Sequence, residues 1–215
     1  MTGLRERKKE QTRQLLADAA WQLFAERGFA GVAVADIARA ADVSEATVFN
    51  YFRTKEDLFY SRFEAFEAQL LAAVRDRPAG EPAIKAFQRF LLQPGGLVKS
   101  AEAGDRDALT QLRTVNRLIA DSPTLIARER QAFAQSASSL ARLLAEETGR
   151  PADDVIATVV AHALLGVHRA LIDHVRRRVL SGEPLTGLTA ELQRLARRAL
   201  TTLERGLADY APQAG

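Results

Sequence analysis

Three histidines are the side chains in this sequence best suited to binding a metal ion or transferring a proton. His162, His168 and His174 follow one another at six-residue intervals. On an α-helix, six residues turn the side-chain direction by about 240° once whole turns are removed, so the three histidines point in different directions. One helix therefore cannot bring them to one metal ion, and the spacing favours isolated core or surface histidines.

Serine and carboxylate residues give no stronger indication of catalysis. Ser136, Ser138 and Ser139 lie in an alanine-rich stretch with no candidate base nearby in the sequence. Asp153 and Asp154 are explained as acidic charge at the start of a helix. The sequence has no phosphate-loop, His-Glu-x-x-His or Gly-x-Ser-x-Gly motif and no cysteine, so it lacks thiol nucleophiles and cysteine-ligated zinc. We expect no enzyme, no metal site and no cofactor.

Polar side chains that can bind DNA cluster near the N-terminus. Asn50 can pair with an adenine edge, and Thr47 can bond a base or a phosphate. Glu45 can accept a hydrogen bond from cytosine but would repel phosphate. Ser44 is placed to cap the helix that carries them, and an exposed helix N-terminus favours phosphate. Residues 1–13 hold five basic and two acidic residues, but the net charge of +3 does not by itself indicate a nucleic-acid partner.

Two short helices joined by a tight turn would position this segment. The pattern predicts one helix over residues 34–40 and a turn in which Asp42 tolerates a left-handed backbone. Ser44 then opens the next helix, which buries Val48 and Phe52. Thr54 begins a Thr-x-x-Asp capping pattern that starts a further helix at the next residue. This arrangement is a helix-turn-helix.

Motifs with unbroken spacing link these residues to a known family. The motifs are Leu16-x-x-x-Ala20-x-x-Leu23-Phe24, Gly28-Phe29, Asp36-Ile37-Ala38, Ala41-Asp42-Val43-Ser44, Thr47-Val48-Phe49, Tyr51-Phe52 and Lys55-Glu56-Asp57-Leu58. Over about residues 10–60 the chain resembles the DNA-binding domain of the tetracycline-repressor (TetR) family. The resemblance implies DNA contacts from Ser44, Glu45, Ala46, Thr47, Phe49, Asn50, Tyr51 and Lys55.

The resemblance assigns roles to these residues and exposes two departures. It implies base reading by Ala46, Thr47 and Asn50 and backbone anchoring by Tyr51 and Lys55. The family often has Thr or Ser where Ala33 stands, and Ala33 can neither cap a helix nor bind a phosphate. The family often has Tyr where Phe49 stands, and Phe49 offers apolar contact only, such as to a thymine methyl group.

Helical spacing of apolar residues continues through the rest of the chain. Glycine and proline breaks divide the sequence into about nine helices, which predicts an all-α fold. We expect a three-helix DNA-binding domain over residues 1–54 and a larger helical ligand-binding and dimerisation domain over residues 55–215. A helix from Lys55 to about Arg77 would start at the first domain and run into the second.

The resemblance further implies a small-molecule cavity inside the larger domain. Ten residues are candidates to line it: Phe66, Leu70, Phe87, Phe90, Leu112, Asn116, Ile119, Phe133, His162 and Gly166. Most are apolar, which favours a largely hydrophobic ligand with Asn116, His162 and Arg113 as polar anchors. For any one of them, simple core packing explains the pattern at least as well.

A dimer interface is indicated by a helix predicted over about residues 152–180, which is apolar on more than one face. Together with the last helix, it suits a four-helix interface between two copies of the chain. The candidate interface residues are Val160, Leu164, Val167, Leu171, Leu188, Leu192, Leu195 and Leu203.

The sequence therefore predicts a cytoplasmic, homodimeric repressor that a small molecule releases from a palindromic operator in double-stranded DNA. No apolar run approaches the roughly 20 residues of a membrane span, so no membrane partner is expected. A second hypothesis is a small-molecule carrier or sensor whose helix-turn-helix no longer binds DNA. A third, weaker one is an enzyme that uses the same cavity.

Overall fold

A computed structural model describes residues 3–61, 65–93 and 96–206, without the side chains of residues 4 and 5. The described residues form eleven α-helices and no strand, which confirms the all-α prediction. The helices are α1 Leu4–Arg27, α2 Val34–Ala40, α3 Glu45–Tyr51, α4 Lys55–Tyr60, α5 Ala65–Arg75, α6 Ala83–Leu91, α7 Gly96–Glu102, α8 Arg106–Ala120, α9 Pro123–Glu147, α10 Val155–Leu180 and α11 Leu188–Glu204.

The helices divide into two compact units. The N-terminal unit comprises Met1–Phe66 together with Arg117–Arg128, and the C-terminal unit comprises Glu67–Asn116 and Glu129–Gly215. The first unit thus includes α1 to α4 and also the end of α8 and the start of α9.

The described helix bounds differ from the sequence prediction in two segments. The helix predicted from Lys55 to about Arg77 is described as α4 and α5, and residues 62–64 between them lie outside the described residues. Over residues 82–147, glycine and proline breaks at residues 94–96 and 122–123 predict three helices, whereas the structure has four, α6 to α9. The additional break lies at Gly104, whose φ of 93° ends α7. Asp105 then accepts hydrogen bonds from the first N–H groups of α8.

Aromatic side chains form the centre of the N-terminal unit. Phe24, Phe29 and Phe59 are at most 5% exposed, and their ring centroids lie 5.0 to 6.2 Å apart. Trp21 borders the cluster, with its ring 6.0 Å from that of Phe59. Tilted and edge-on ring pairs at these distances are favourable. The cluster joins α1, the loop that follows it and α4 into one support for α2 and α3.

The core of the C-terminal unit is built around α10, which packs against α11 and α6. Leu164 and Leu165 of α10 and Leu188 and Leu200 of α11 are at most 3% exposed. By length and composition alone α10 could cross a membrane, with a mean hydropathy of 1.8 over its most apolar stretch. However, one face of α10 is covered by its own unit, as expected for a helix of a folded helical domain.

Candidate nucleic-acid interface

A tight turn sets α3 against α2. Asp42 has a φ of 52° and is the non-glycine residue with positive φ among those described, as its position in the turn predicts. The N–H of Val43 donates to the carbonyl of Ala38 at 3.0 Å and closes the turn. The buried Ile37 and Ala38 of α2 face the rest of the unit. The helix-turn-helix geometry predicted from the sequence is present.

Ser44 caps the N-terminus of α3, as predicted. Its hydroxyl oxygen accepts a hydrogen bond from the backbone N–H of Thr47 at 3.1 Å. The hydroxyl groups of Ser44 and Thr47 lie 2.9 Å apart and also bond to each other. The pair thus satisfies one backbone donor at the helix start and fixes two hydroxyl groups there.

One face of α3 is buried and the opposite face is open. Val48 is 1% exposed and Phe52, directly after the helix, is 3% exposed, so these residues anchor α3 to the unit. Phe49 is 51% exposed even though it is a large apolar side chain. The predicted DNA contacts divide as follows: Ser44, Glu45, Ala46, Phe49 and Asn50 are exposed, and Thr47, Tyr51 and Lys55 are half-buried.

The N-terminus of α2 shows the consequence of Ala33. Ala33 makes no side-chain cap, but its backbone N–H donates to the carboxylate of Asp36 at 3.0 Å. This hydrogen bond lowers the pKa of Asp36 below its ordinary value, and the neighbouring Arg39 contributes to the same shift. A capping box has two hydrogen bonds, and only the one from the backbone N–H of Ala33 to the Asp36 carboxylate is present here. The other needs a side-chain acceptor at the cap, which alanine lacks.

Lys55 is held by backbone carbonyls of the loop between α1 and α2. Its ammonium group donates to the carbonyl oxygens of Phe29 at 2.8 Å and Val32 at 2.9 Å. The same nitrogen lies 4.3 Å from the centre of the Phe29 ring, in cation–π geometry. An ammonium has three N–H donors, so one remains to reach a phosphate.

The start of α4 is tied to the beginning of α9 within the N-terminal unit. The Thr54 hydroxyl accepts from the N–H of Asp57 at 3.1 Å, which confirms the predicted cap. The side-chain carboxylate of Asp57 forms an ion pair with Arg128 of α9, with 3.0 Å between the carboxylate oxygen and the Nε atom. Tyr60 of α4 donates its hydroxyl to the carbonyl of Leu125 at 3.0 Å. These long-range partners could not be read from the sequence around α4.

Arg13 of α1 is a further residue at this interface, which the sequence marks only as a member of a short basic segment. Its guanidinium donates to the carbonyl of Tyr51 at 3.4 Å and lies 4.6 Å from the centre of the Phe52 ring. It therefore contacts the C-terminal end of α3 from the N-terminal helix. Its membership in the short basic segment was visible in the sequence, but its partners lie 38 and 39 positions further along the chain.

The predicted ligand residues are distributed over both units. Phe66 and Ile119 belong to the first unit and the other eight to the second. Leu70, Phe87, Leu112, Asn116 and Ile119 are buried, and Phe66, Phe90 and Phe133 are half-buried. His162 and Gly166, as well as the suggested anchor Arg113, are exposed on their helices. A place in an enclosed cavity stays a prediction for these three, whose side of α10 or α8 is open in the single subunit.

Asn116 and the histidines already have partners in this fold. The Asn116 amide donates to the carbonyl of Leu112 at 2.8 Å, inside the core. His168 packs against Phe133 with ring centroids 5.5 Å apart, and burial lowers its pKa to about 4. The Nε2 atom of His174 lies 3.1 Å from the carboxylate of Glu191. The Nδ1 atom of His162 lies 2.9 Å from the carbonyl oxygen of Thr158, so the three histidines have three different environments, in agreement with the divergent directions derived from their spacing.

The predicted dimer residues also divide by burial. Leu164 is 2% exposed and Leu188 is 0% exposed, so their own subunit already covers these two predicted interface residues. Val160 is 40% exposed, and Val167, Leu171, Leu192, Leu195 and Leu203 are half-buried. The open face of α10 instead carries Val155, Ile156 and Val159, which are 71%, 59% and 60% exposed.

Comparisons with known proteins agree with this geometry. Residues 16–61 match the family model described as bacterial regulatory proteins, tetR family, and residues 96–208 match that of the MftR C-terminal domain. The chain is 32% identical to the HTH-type transcriptional regulator TcmR of Streptomyces glaucescens over 152 residues. This alignment covers 71% of this chain and 67% of TcmR. The chain is also 54% identical to the HTH-type transcriptional regulator LuxR of Vibrio harveyi over 46 residues. This alignment covers 21% of this chain and 22% of LuxR.

A solved structure shares the fold over most of the chain. It is NalD, the secondary repressor of the MexAB-OprM multidrug efflux pump in Pseudomonas aeruginosa. The TM-score is 0.54 at 22% sequence identity, over 89% of this chain and 96% of NalD. The similarity therefore extends through the C-terminal unit as well as the helix-turn-helix.

Proposed function

The chain belongs to the TetR family of bacterial regulatory proteins, and on that premise we propose that it is a dimeric repressor that binds a palindromic operator through α3 and is released by a small molecule. The members of this family are DNA-binding regulators rather than enzymes. We expect the protein to act in the cytoplasm, where operator DNA is available.

The open face of α3 is the observation that carries this proposal. Ala46, Phe49 and Asn50 are exposed on a helix whose opposite side, at Val48, is fully buried. A short helix fixed at both ends and presenting amide, methyl and aromatic groups to solvent suits reading of the DNA major groove. Asn50 can bond an adenine edge, and the exposed Phe49 ring can contact a thymine methyl group.

Selection of bound sequences from random double-stranded DNA tests the proposal. We expect the purified protein to enrich an inverted repeat. We also expect Asn50→Ala to lose about 1–3 kcal/mol of binding free energy per half-site and to relax the choice at one position in each half-site. The exposed Asn50 makes no core contact, so the variant should unfold at the wild-type temperature. Absence of any enriched motif with folded protein would contradict the proposal and favour the carrier or sensor hypothesis.

Dimerisation through α10 and α11 would give the operator its symmetry. The apolar open face of α10 at Val155, Ile156 and Val159 supports a second copy of the chain as its partner. Two-fold symmetry would place the two α3 helices about 34–36 Å apart, or at a multiple of one DNA turn.

Release by a small molecule would follow from linkage between ligand and DNA binding. A ligand that lowers operator affinity a hundredfold must favour the non-binding conformation by about 2.7 kcal/mol. Phe66, Phe90 and Phe133, which are only half-buried, are the aromatic candidates whose side chains retain surface for contact with a ligand. The fully buried Leu70 and Phe87 are also accounted for by core packing.

A further inference from the structure

An open groove of about 660 Å³ lies between the first turns of α1 and the C-terminal end of α3, within the N-terminal unit. Its lining residues are Glu6, Arg7, Lys9, Glu10 and Arg13 on α1 and Asn50 and Tyr51 on α3. Asn50 is also on the face proposed to read bases. The groove is therefore continuous with that face and extends it toward the N-terminus of α1.

Arg13 fixes the two walls of the groove relative to each other. Its guanidinium bonds the carbonyl of Tyr51 at 3.4 Å and stacks 4.6 Å from the centre of the Phe52 ring. Phe52 is 3% exposed, so this contact reaches into the packed part of the unit. The spacing between α1 and the end of α3 is thus set before any partner binds, which reduces the entropic cost of binding.

The side chains that line the groove carry a small excess of positive charge. Three of its side chains are cationic and two are carboxylates. One carboxylate, that of Glu6, accepts a hydrogen bond from the N–H of Gly3 at 3.2 Å, next to the positive N-terminal end of the α1 dipole. Arg7 and Lys9 are exposed and present their charges to solvent.

We propose that this groove binds the phosphodiester backbone of the DNA that flanks each half-site. The inference rests on the proposed function, because it places the bound duplex against α3. With Asn50 at a base edge, the adjoining backbone continues past the end of α3, and the groove offers Arg7 and Lys9 at that position. Phosphate contacts of this kind add affinity and orientation without reading sequence.

Neighbouring lysines of α1 provide a matched test in the full-length protein. Lys8 and Lys9 are both exposed, but only Lys9 lines the groove, so Lys9→Ala and Lys8→Ala make the same change in charge at adjacent positions. Operator affinity is measured between 50 and 200 mM salt for both variants and for the wild type. A dimer has one Lys9 at each half-site, so Lys9→Ala removes two phosphate contacts and lowers the slope of log K against log salt by about 1.8. Over this fourfold salt range, the wild type should therefore lose about twelve times more affinity than Lys9→Ala.

The length of the duplex supplies the second readout. With flanking base pairs present, Lys9→Ala should bind more weakly than Lys8→Ala, and trimming the duplex to the half-sites should remove the difference. If the wild type selects an operator but the two variants have equal salt slopes and equal dependence on the flanks, the groove is not a phosphate site. If the wild type selects no operator at all, the proposed function itself fails.

Discussion

Lys55 shows how a single side chain can serve both the fold and the proposed DNA contact. Its ammonium satisfies the carbonyls of Phe29 and Val32 in the loop that precedes α2. The resemblance to the family assigns the same residue to a DNA phosphate. Both roles are compatible because the two carbonyls occupy two of three donors. The ammonium of Lys55 would then contact a DNA phosphate and the loop before α2 at the same time.

Replacing Lys55 by alanine should therefore affect stability as well as DNA binding. Two hydrogen bonds from a charged, half-buried donor are removed, so we expect the variant to be destabilised by about 1–3 kcal/mol. Operator affinity should weaken for all sequences alike, and the salt slope should fall by about one phosphate contact for each subunit of the dimer. Thermal unfolding and salt-dependent DNA binding measure the two effects.

The exposed Arg53 supplies the control for stability. Arg53 is an exposed cation two positions before Lys55 in the chain. Arg53→Ala leaves the hydrogen bonds of Lys55 to the loop carbonyls in place, so this variant should unfold at the wild-type temperature. An unchanged unfolding temperature for Lys55→Ala would mean that the two carbonyl bonds contribute nothing net.

At the scale of elements, α11 is attached at its start by a side chain from α7. The carboxylate of Glu102 accepts hydrogen bonds from the N–H of Gly187 at 2.6 Å and of Thr189 at 3.0 Å. Gly187 itself offers no side-chain cap and has a φ of 78°, so Glu102 takes the place of a local cap. Hydrogen bonding from Thr189, and then from Gly187, lowers the pKa of Glu102 below its ordinary value of 4.5.

Glu102→Gln should weaken the attachment of α11. The neutral amide keeps an acceptor but loses the charge at the helix N-terminus, so we expect a destabilisation of about 1 kcal/mol near neutral pH. Because the pKa of Glu102 is lowered in the folded state, its contribution is present above pH 4.5 and is lost as the pH falls through the lowered folded value. The difference between wild type and variant in unfolding free energy should shrink over that range.

Glu146→Gln provides a matched exchange at an exposed position near the end of α9. Its unfolding free energy should stay within about 0.5 kcal/mol of the wild type. Equal stability of Glu102→Gln and Glu146→Gln at neutral pH would show that the carboxylate does not stabilise the start of α11.

At the scale of the whole molecule, one side of α10 is buried within the subunit and the other side is exposed. Leu164 and Leu165 pack inside the subunit, whereas Val155, Ile156 and Val159 remain more than half exposed. A contiguous exposed apolar surface on one side of a long helix is typical of an assembly interface. Leu164 is therefore unsuitable for a test of dimerisation. A charged side chain at this position would lie in the subunit core and would unfold the subunit.

Val159→Glu should instead give a folded monomer. The valine is 60% exposed in the subunit, so a carboxylate there stays solvated in the monomer but is desolvated across a two-fold interface. We expect the variant to sediment as a monomer at micromolar concentration, to keep its helical circular-dichroism spectrum and to lose operator binding.

Leu15→Glu gives the corresponding control, because Leu15 is 51% exposed on α1, outside the proposed interface. This variant should remain dimeric. A dimeric Val159→Glu, or a wild type that is monomeric at micromolar concentration, would contradict the proposed interface.

The sequence by itself determined the local structure of the DNA-binding unit. The bounds of α2, the positive φ at Asp42 and the caps at Ser44 and Thr54 were all predicted, because each depends on residues at most five positions apart. The family resemblance was equally accessible, since its motifs are contiguous. Helical periodicity also fixed the all-α class, but it did not reveal the break at Gly104.

Tertiary structure alone decided which partner each side chain has and which side of a helix remains open. Nothing near Asp57 in the sequence indicates Arg128, and nothing near Lys55 indicates the carbonyls of Phe29 and Val32. For α10, the sequence shows apolar residues on two faces, and periodicity cannot tell which face its own subunit covers. Leu164 was therefore predicted at the interface although it is buried, and Val159 was omitted although it is exposed, because burial depends on contacts between distant segments of the chain.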